Sequence, residues 1–493
     1  MNVGINTYYP DKINVAYNNY LVYSQDGNPL FPNSNIANYD IHPWYIGNYS
    51  HLDQEEKDLN IKFPYYIKGN EELEFLNLLN RYNSQLFEGF ISNINNDYMG
   101  RTLNDLINTS EKFIYPIVMY NNDLFEKYET IDLDERLIKC IKEDQARIVF
   151  LQLTEGFFGI NKRDLIWVSN LVKKYNFNND RIIVLTSNMY AEDRFNLMIE
   201  NKEIDNNFII YCYSYFQHNL WFIPGGHVLS DMVKEEAYKY FNYFLNNNRT
   251  NQKQYHFLCF NRIVKNHRIA IFSELMSNPN FKDKFIVSIG SSYNVQHISL
   301  DHANERDFYN KLNYFLRDDY KHSKQRLLDF LDTYDSKQKY VYDVEDLEQN
   351  KADSFNIDAH SNSFLNIISE SLEGVNTVFF SEKTYKPIIA LQPFIMNGNP
   401  FSLKKLKDYG YKTFDKWWDE SYDNETDYTK RLEKIVDVLE EISSWSLERC
   451  FQVTNEMEEV LIHNFNNCMS VDKIEKLNKF LKEEINYETR SLW

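Results

Sequence analysis

From residue 113 onward, short apolar runs alternate with amphipathic helical patterns, and this alternation restricts the fold more than any other feature. Strands that alternate with helices are typical of a parallel sheet covered by helices. We therefore predict an α/β fold with two such sheets. The predicted strands of the first half are residues 114–119, 148–153, 182–185 and 208–213, and those of the second half are 257–260, 285–289, 364–368, 378–380 and 393–396.

A chain of 493 residues is too long for a single hydrophobic core. Residues 1–110 show weak periodicity and are assigned to the first domain, whose readable part is 111–248. The polar stretch 246–253 is the predicted linker. A second domain is predicted for 254–425, and a helical tail for 426–493.

Composition excludes several classes of protein. A net charge of −19 and a pI near 5.1 argue against a protein whose main function is binding nucleic acid. A local basic cleft is compatible with this overall charge. The N-terminus lacks a signal-peptide pattern, and no apolar run reaches the roughly 20 residues of a membrane span, so we expect a cytoplasmic protein without membrane contact. Five cysteines without paired spacing predict buried, reduced thiols and no zinc site.

Polar residues stand at the ends of the predicted strands within 363–398. The three strands of this segment end at Glu370, at Ser381-Glu382 and at Asn397-Gly398. In an open parallel sheet, ligands bind in the crevice outside the carboxyl ends of the strands. This segment is therefore the first candidate for a binding site.

Glu382 and Lys386 lie four residues apart at the start of a predicted helix, so both project from one face. A carboxylate suits a vicinal diol such as a ribose, and a lysine beside free helix N–H groups suits a phosphate. Together they suit a nucleotide-linked sugar. The alternative interpretation is an ordinary solvated ion pair.

A cluster of cations follows the predicted strand 257–260, at the same edge. It could hold a diphosphate and stabilise its charge as a leaving group, or it could be a solvated helix start. Its candidate donor-binding residues are Asn261, Arg262, His267 and Arg268, with Lys265 between them.

Two residues are candidates for a general base that deprotonates an acceptor hydroxyl. Glu155 ends a central strand before Gly156, and His227 follows Pro224-Gly225-Gly226. The alternatives are that Glu155 is an exposed loop glutamate and that His227 is a structural histidine.

Asp134 belongs to a paired-aspartate pattern, but its position before an amphipathic run predicts a helix N-cap. Signatures of phosphate-loop, dinucleotide-binding, zinc-protease and esterase sites are missing from the sequence.

The second half resembles a group of GT-B glycosyltransferases of bacteriophages, large DNA viruses and bacteria, over about residues 255–425. Its block from Glu382 to Lys386 is also similar to the donor-binding motif of α1,3-fucosyltransferases. The low glycine count and the lack of a Gly-rich loop depart from many GT-B enzymes. The segments that carry the resemblance are 257–262 with His267-Arg268, 368–370, 380–387, 392–394, 409–414 and 419–423.

The resemblance implies two Rossmann-like domains facing across a cleft, a nucleotide-sugar donor held mainly by the second one, and neither a metal nor another cofactor. It implies that Glu382 binds sugar or ribose hydroxyls, that Lys386 and Arg262 bind phosphates, and that Glu370 and His267 support the site. The implied function is transfer of a hexosyl or pentosyl group to an acceptor hydroxyl on a glycan, a protein or a modified nucleobase. Net charge disfavours a DNA acceptor, and a viral enzyme would act in the host cytoplasm. A carbohydrate-binding or virion-associated protein without turnover is the alternative.

Overall fold

The structure is a computed structural model that describes residues 13–17, 98–102, 106–118, 133–152, 162–205, 207–214, 216–217, 231–261, 264–290, 307–334, 355–373, 377–470 and 472–485. By compactness the chain divides into two units, Met1–Tyr213 with Val471–Trp493, and Ser214–Ser470. The sequence instead placed the division near residues 248–254. No helix among the described residues combines the length and the apolar character needed to cross a membrane.

The first unit contains a parallel sheet in the order β2-β1-β3-β4-β5-β6. Strand β5 (Ile182–Thr186) is buried at every position, as parallel sheets covered by helices require. The strands are β1 (Ile13–Tyr17), β2 (Tyr98–Thr102), β3 (Phe113–Val118), β4 (Ala146–Gln152), β5 (Ile182–Thr186) and β6 (Ile209–Cys212), and the helices between them are α1 (Glu135–Lys142), α2 (Lys162–Tyr175) and α3 (Ala191–Glu200).

Helix α1 begins where the sequence predicts. The Asp134 side chain accepts a hydrogen bond from the Arg136 backbone N–H at 2.8 Å, which confirms Asp134 as its N-cap. The sequence pattern also predicts a helix around residues 71–82, and these residues lie outside the described part of the chain.

The second unit contains a parallel sheet in the order β10-β9-β7-β8. Two parallel sheets, each built from strands that alternate with helices, confirm the predicted α/β class with two Rossmann-like domains. The strands are β7 (Tyr255–Asn261), β8 (Phe285–Ile289), β9 (Ser363–Ser369) and β10 (Phe394–Asn397).

Helices cover this sheet and continue beyond it. The helices of the segment 299–352 pack on the helix that follows β7, as an outer layer. The helices are α4 (Asp231–Thr250), α5 (Asn266–Ser277), α6 (Asp307–Phe315), α7 (Lys324–Thr333), α8 (Ile357–Asn362), α9 (Glu382–Ile389), α10 (Ser402–Asp408), α11 (Tyr428–Ser443), α12 (Leu447–Glu456), α13 (Glu458–Met469) and, in the first unit, α14 (Asp472–Ile485).

The predicted strand 378–380 is wrong. Its residues are buried, but β9 pairs directly with β10, so the ladder position beside β9 is already occupied. Phe379 packs edge-on against Phe216 with ring centroids 5.8 Å apart. The apolar run therefore fills the core outside the sheet and leads into α9.

The predicted linker 246–253 is also wrong. Residues 246–250 are the last turn of α4, and the side chains of Asn247 and Asn248 are buried. Asn247 Nδ2 donates to the Ser361 carbonyl at 3.1 Å, and Asn248 Nδ2 donates to the Leu391 carbonyl at 2.8 Å. These residues are polar because they satisfy buried carbonyl groups.

None of the five cysteines forms a disulfide. Cys140, Cys259, Cys450 and Cys468 are buried and Cys212 is half-buried, which agrees with reduced thiols.

Candidate functional site

Polar side chains meet where β7, β9 and β10 end. Asn261 closes β7, Ser369 and Glu370 close β9, and Asn397 closes β10, and each of the four is almost fully buried. The Asn397 side chain donates to the Ser369 hydroxyl at 3.2 Å and so joins two adjacent strand ends. Buried polar side chains therefore line the carboxyl edge of the second sheet, and a hydrogen bond joins two of its strand ends.

Glu370 organises this edge through its carboxylate. Oε1 accepts hydrogen bonds from the Ser381 backbone N–H at 3.0 Å and the Thr384 hydroxyl at 2.5 Å. Oε2 accepts from the Ser381 hydroxyl at 2.6 Å and the Ser371 backbone N–H at 2.9 Å. Four donors compensate a carboxylate that is 2% exposed. Glu370 thus fixes the start of α9 and does not reach solvent.

The backbone of Glu370 is held from the other side by the start of α5. His267 Nε2 donates to the Glu370 carbonyl at 2.8 Å, and Arg268 Nη2 donates to the same oxygen at 3.0 Å. Burial, and then the charge of Arg268, lower the pKa of His267 well below its ordinary value. His267 is therefore a neutral donor that supports Glu370, with no freedom to act as a base.

Helix α9 begins with a cap that also contacts Glu370. Ser381 has extended backbone, and its hydroxyl accepts from the Lys383 backbone N–H at 3.3 Å while it donates to Glu370. The first helical residue is Glu382, whose negative charge is favourable at a helix N-terminus.

Glu382 forms its ion pair with Lys383, and not with Lys386 as the four-residue spacing suggested. Burial opposes ionisation of Glu382, but the charges of Lys383 and then Lys386 outweigh it and lower its pKa to about 2. Burial, and to a smaller extent the charge of Lys386, lower the pKa of His360, which precedes β9, to about 4.

The described edge carries a local positive charge. Burial lowers the pKa of Arg268, and Glu382 and Glu370 counteract it, so this guanidinium stays charged beside both carboxylates. The Lys265 ammonium donates to the Ser371 carbonyl in the loop after β9. The charges of Arg268, Lys383 and Lys386 thus act on the carboxylates of this edge, in a chain of net charge −19.

Asn261 has a buried hydrogen-bond acceptor at this edge. Its Nδ2 contacts Cys259 Sγ at 3.2 Å, whereas its Oδ1 has no hydrogen-bond partner among the described residues. Arg262 follows it directly but lies outside the described residues, as do Glu155 and His227. The structure therefore brings together six of the predicted site residues: Asn261, His267, Arg268, Glu370, Glu382 and Lys386.

Sequence reasoning missed the residues that hold α9 in place. Lys383 follows Glu382 directly, and the rule that neighbours on a helix are three or four residues apart does not select it. Ser381 and Thr384 carry the signal of an N-cap serine followed by a short polar turn. Their bonds to Glu370 depend on how the chain passes from residue 370 to residue 381, which local pattern does not specify.

Comparisons with known proteins give little guidance. No protein-family model matches the chain, and no curated protein matches it with significant sequence similarity. A solved α,α-trehalose-phosphate synthase (UDP-forming) from Burkholderia vietnamiensis is similar in backbone trace, with a TM-score of 0.36 and 11% sequence identity over 85% of this chain and 79% of that chain. Similarity at this level carries no argument about activity, so the functional case depends on the site itself.

Proposed function

We propose that the protein is a glycosyltransferase that moves a sugar from a nucleotide-sugar donor to an acceptor hydroxyl on a glycan, a protein or a modified nucleobase. The donor binds at the carboxyl edge of the second sheet. One observation carries the proposal: at this edge a half-buried, ionised Glu382 pairs with Lys383, and the charges of Lys386 and Arg268 also act on it.

The chemistry of a nucleotide sugar fits this arrangement. The diphosphate is an anion that becomes a better leaving group when fixed cations neutralise the charge developing on it, and preorganised charges of this kind often dominate catalysis. The Glu382 carboxylate is an acceptor for sugar or ribose hydroxyls. Lys383 is the cation next to it, and Lys386 adds charge one helical turn away.

The acceptor hydroxyl needs a general base. Among the described residues of the edge, Glu370 is saturated with donors and His267 is buried. We therefore keep Glu155 and His227 as the proposed bases. The transfer we propose uses neither a metal nor another cofactor.

Calorimetric titration with UDP, GDP, CMP and dTDP, free and as sugar conjugates, tests donor binding. We expect one nucleotide to bind selectively, and we expect Glu382→Gln, Lys383→Met and Lys386→Met each to weaken it at least tenfold. Lys282→Met is the matched control, because Lys282 is an exposed lysine that precedes β8 at the opposite end of the same sheet. This control should bind like the wild type.

Turnover separates the enzyme from its alternative. Release of nucleoside diphosphate from the bound sugar conjugate, lost in Lys383→Met, would support the transferase. Tight glycan binding without affinity for any nucleotide would overturn it in favour of a carbohydrate-binding or virion-associated protein.

A further inference from the structure

We propose that His322, Asp437 and Glu440 form a binding site for a divalent transition metal of the Zn²⁺ class. The three side chains each offer one ligand atom, and these atoms lie within 4.8 Å of one another. His322 Nε2 is 3.0 Å from Asp437 Oδ1, and His322 Nδ1 is 3.8 Å from Glu440 Oε1. Imidazole nitrogen with carboxylate oxygen is a donor set that zinc commonly uses.

The local structure explains why the three side chains meet. Asp437 and Glu440 are three residues apart on α11, so they share one face of that helix. His322 ends the turn between α6 and α7, where Ser323 has a left-handed backbone with a φ of 72° and caps α7. Arg326 donates to the His322 carbonyl at 3.0 Å. The turn therefore holds the imidazole against α11.

Burial distinguishes this group from a cluster of surface acids. The His322 side chain is 9% exposed, whereas those of Asp437 and Glu440 are 44% and 32% exposed. A nearly buried imidazole with two solvent-accessible carboxylates forms a half-open site, in which water can complete the coordination of an ion that enters from solvent.

Other groups now occupy the ligand atoms, and they set the conditions for binding. The Lys321 ammonium donates to both Asp437 oxygens at 2.8 Å, and the Asn278 and Asn280 amides donate to Glu440 Oε1 at 2.9 and 3.2 Å. His322 Nε2 also lies 3.3 Å from the Glu433 carbonyl. A metal has to displace Lys321 from Asp437, which costs little because Lys321 is exposed, and it also has to replace at least one amide donor at Glu440 Oε1.

The site is separate from the proposed donor site but lies on a helix that supports it. Tyr428, at the start of α11, donates from its hydroxyl to the His267 carbonyl at 3.2 Å. A metal that joins α11 to the turn before α7 would stabilise the second unit, because it binds the folded arrangement and not the unfolded chain. Its role would be structural.

Thermal unfolding and calorimetry of chelator-treated full-length protein with ZnCl₂ test the site. We expect zinc to raise the unfolding temperature of the wild type, and we expect His322→Ala and Asp437→Asn each to weaken zinc binding at least tenfold. Asp437→Asn changes an exposed side chain, so it keeps the test valid if His322→Ala folds poorly. Glu441→Gln, an exposed neighbour on α11, is the control and should bind zinc normally.

The variant Lys321→Met tests whether Lys321 competes with the metal for Asp437. Because Lys321 competes for Asp437, its removal should tighten zinc binding severalfold. Absence of zinc binding in the wild type, binding unchanged by His322→Ala and Asp437→Asn, or weaker binding in Lys321→Met would each overturn the proposal. With Co²⁺ as the probe, visible absorption lost in His322→Ala would support it, and absorption that persists would contradict it.

Discussion

A buried carboxylate is stable only when donors surround it, and Glu370 shows how strictly this condition shapes a site. Each of its oxygens receives one backbone N–H and one hydroxyl. Hydroxyl groups can rotate, but backbone N–H groups cannot. Each of the two side-chain atoms that face these backbone N–H groups must therefore be a hydrogen-bond acceptor, as both oxygens of a carboxylate are.

We predict that Glu370→Gln destabilises the protein by about 1–3 kcal/mol, because either orientation of the amide places an NH₂ against a backbone N–H. Urea unfolding followed by fluorescence measures the loss. Glu459→Gln, at an exposed position on α13, should change stability by less than about 0.5 kcal/mol. Equal stability of the two variants would contradict the assigned role of Glu370.

Lys253 provides a second test of a buried group, at the opposite end of the same sheet. Its ammonium donates to Asn248 Oδ1 at 2.8 Å and to the Ser361 carbonyl at 3.0 Å. Burial lowers its pKa from 10.5 to about 7. Between pH 7 and pH 10.5 the unfolded chain therefore binds more protons than the folded one, and stability attributable to Lys253 rises with pH.

We predict that the stability difference between wild type and Lys253→Met shifts in favour of the wild type as the pH is raised from 6 to 9. Urea midpoints at several pH values measure this difference. Lys282→Met removes an exposed lysine and should show no such trend. A difference that stays constant with pH would indicate that Lys253 keeps an ordinary pKa.

At the scale of single elements, α9 is the element on which the proposed donor site depends. Its cap residue Ser381 has two tasks, since the hydroxyl accepts from Lys383 and donates to Glu370. Gly398, after β10, adds a packing constraint, because a Cβ there would lie 3.3 Å from Glu370 Cβ. Three separate segments thus fix the position of Glu382 and Lys383.

We predict that Ser381→Ala lowers stability by about 1–2 kcal/mol and weakens nucleotide binding at least fivefold. Ser446→Ala is a matched control, because Ser446 caps α12 through its bond to the Arg449 N–H at 3.1 Å and is exposed. This control should lose stability without loss of nucleotide affinity. Equal affinity in both variants would show that the cap does not position the donor site.

The sequence predicted elements well where apolar periodicity decides them. Strand β8 was predicted to the residue, and most other predicted strands differ from the observed ones by one or two residues at an end. The segment 378–380 failed because burial alone does not specify which strand pairs with β9. The segment 246–253 failed because Asn247, Asn248 and Lys253 are buried and donate to backbone carbonyls instead of facing water. Local sequence pattern does not contain the information on which strands pair over long distances or which buried polar groups bond to one another.

For the whole molecule, the main feature is that the chain leaves the first unit at Tyr213 and returns at Val471. Helix α14 packs against β6, where Phe480 stacks on Tyr211 with ring centroids 4.7 Å apart. Leu477 and Leu481 of the same helix are fully buried. The tail predicted from residue 426 onward is thus divided between the units.

We predict that Phe480→Ala lowers the stability of the first unit by about 1–2 kcal/mol, because the stacked aromatic surface on β6 is lost. Amide hydrogen exchange should become faster in β6 and stay unchanged in β7. Phe451→Ala, which truncates a partly buried phenylalanine on α12 of the second unit, should leave β6 exchange unchanged. Unaltered β6 exchange in Phe480→Ala would contradict this packing.

Because α14 belongs to the first unit but is encoded at the end of the chain, the first unit is completed only late in synthesis. Strand β6 lies at the edge of its sheet and leaves the ribosome long before the helix that packs against Tyr211. At roughly 5–20 residues per second, translation of residues 214–470 takes some tens of seconds. During that interval Tyr211 on this edge strand is uncovered and accessible to other chains. The nascent protein is therefore most vulnerable to aggregation while its second unit is being made.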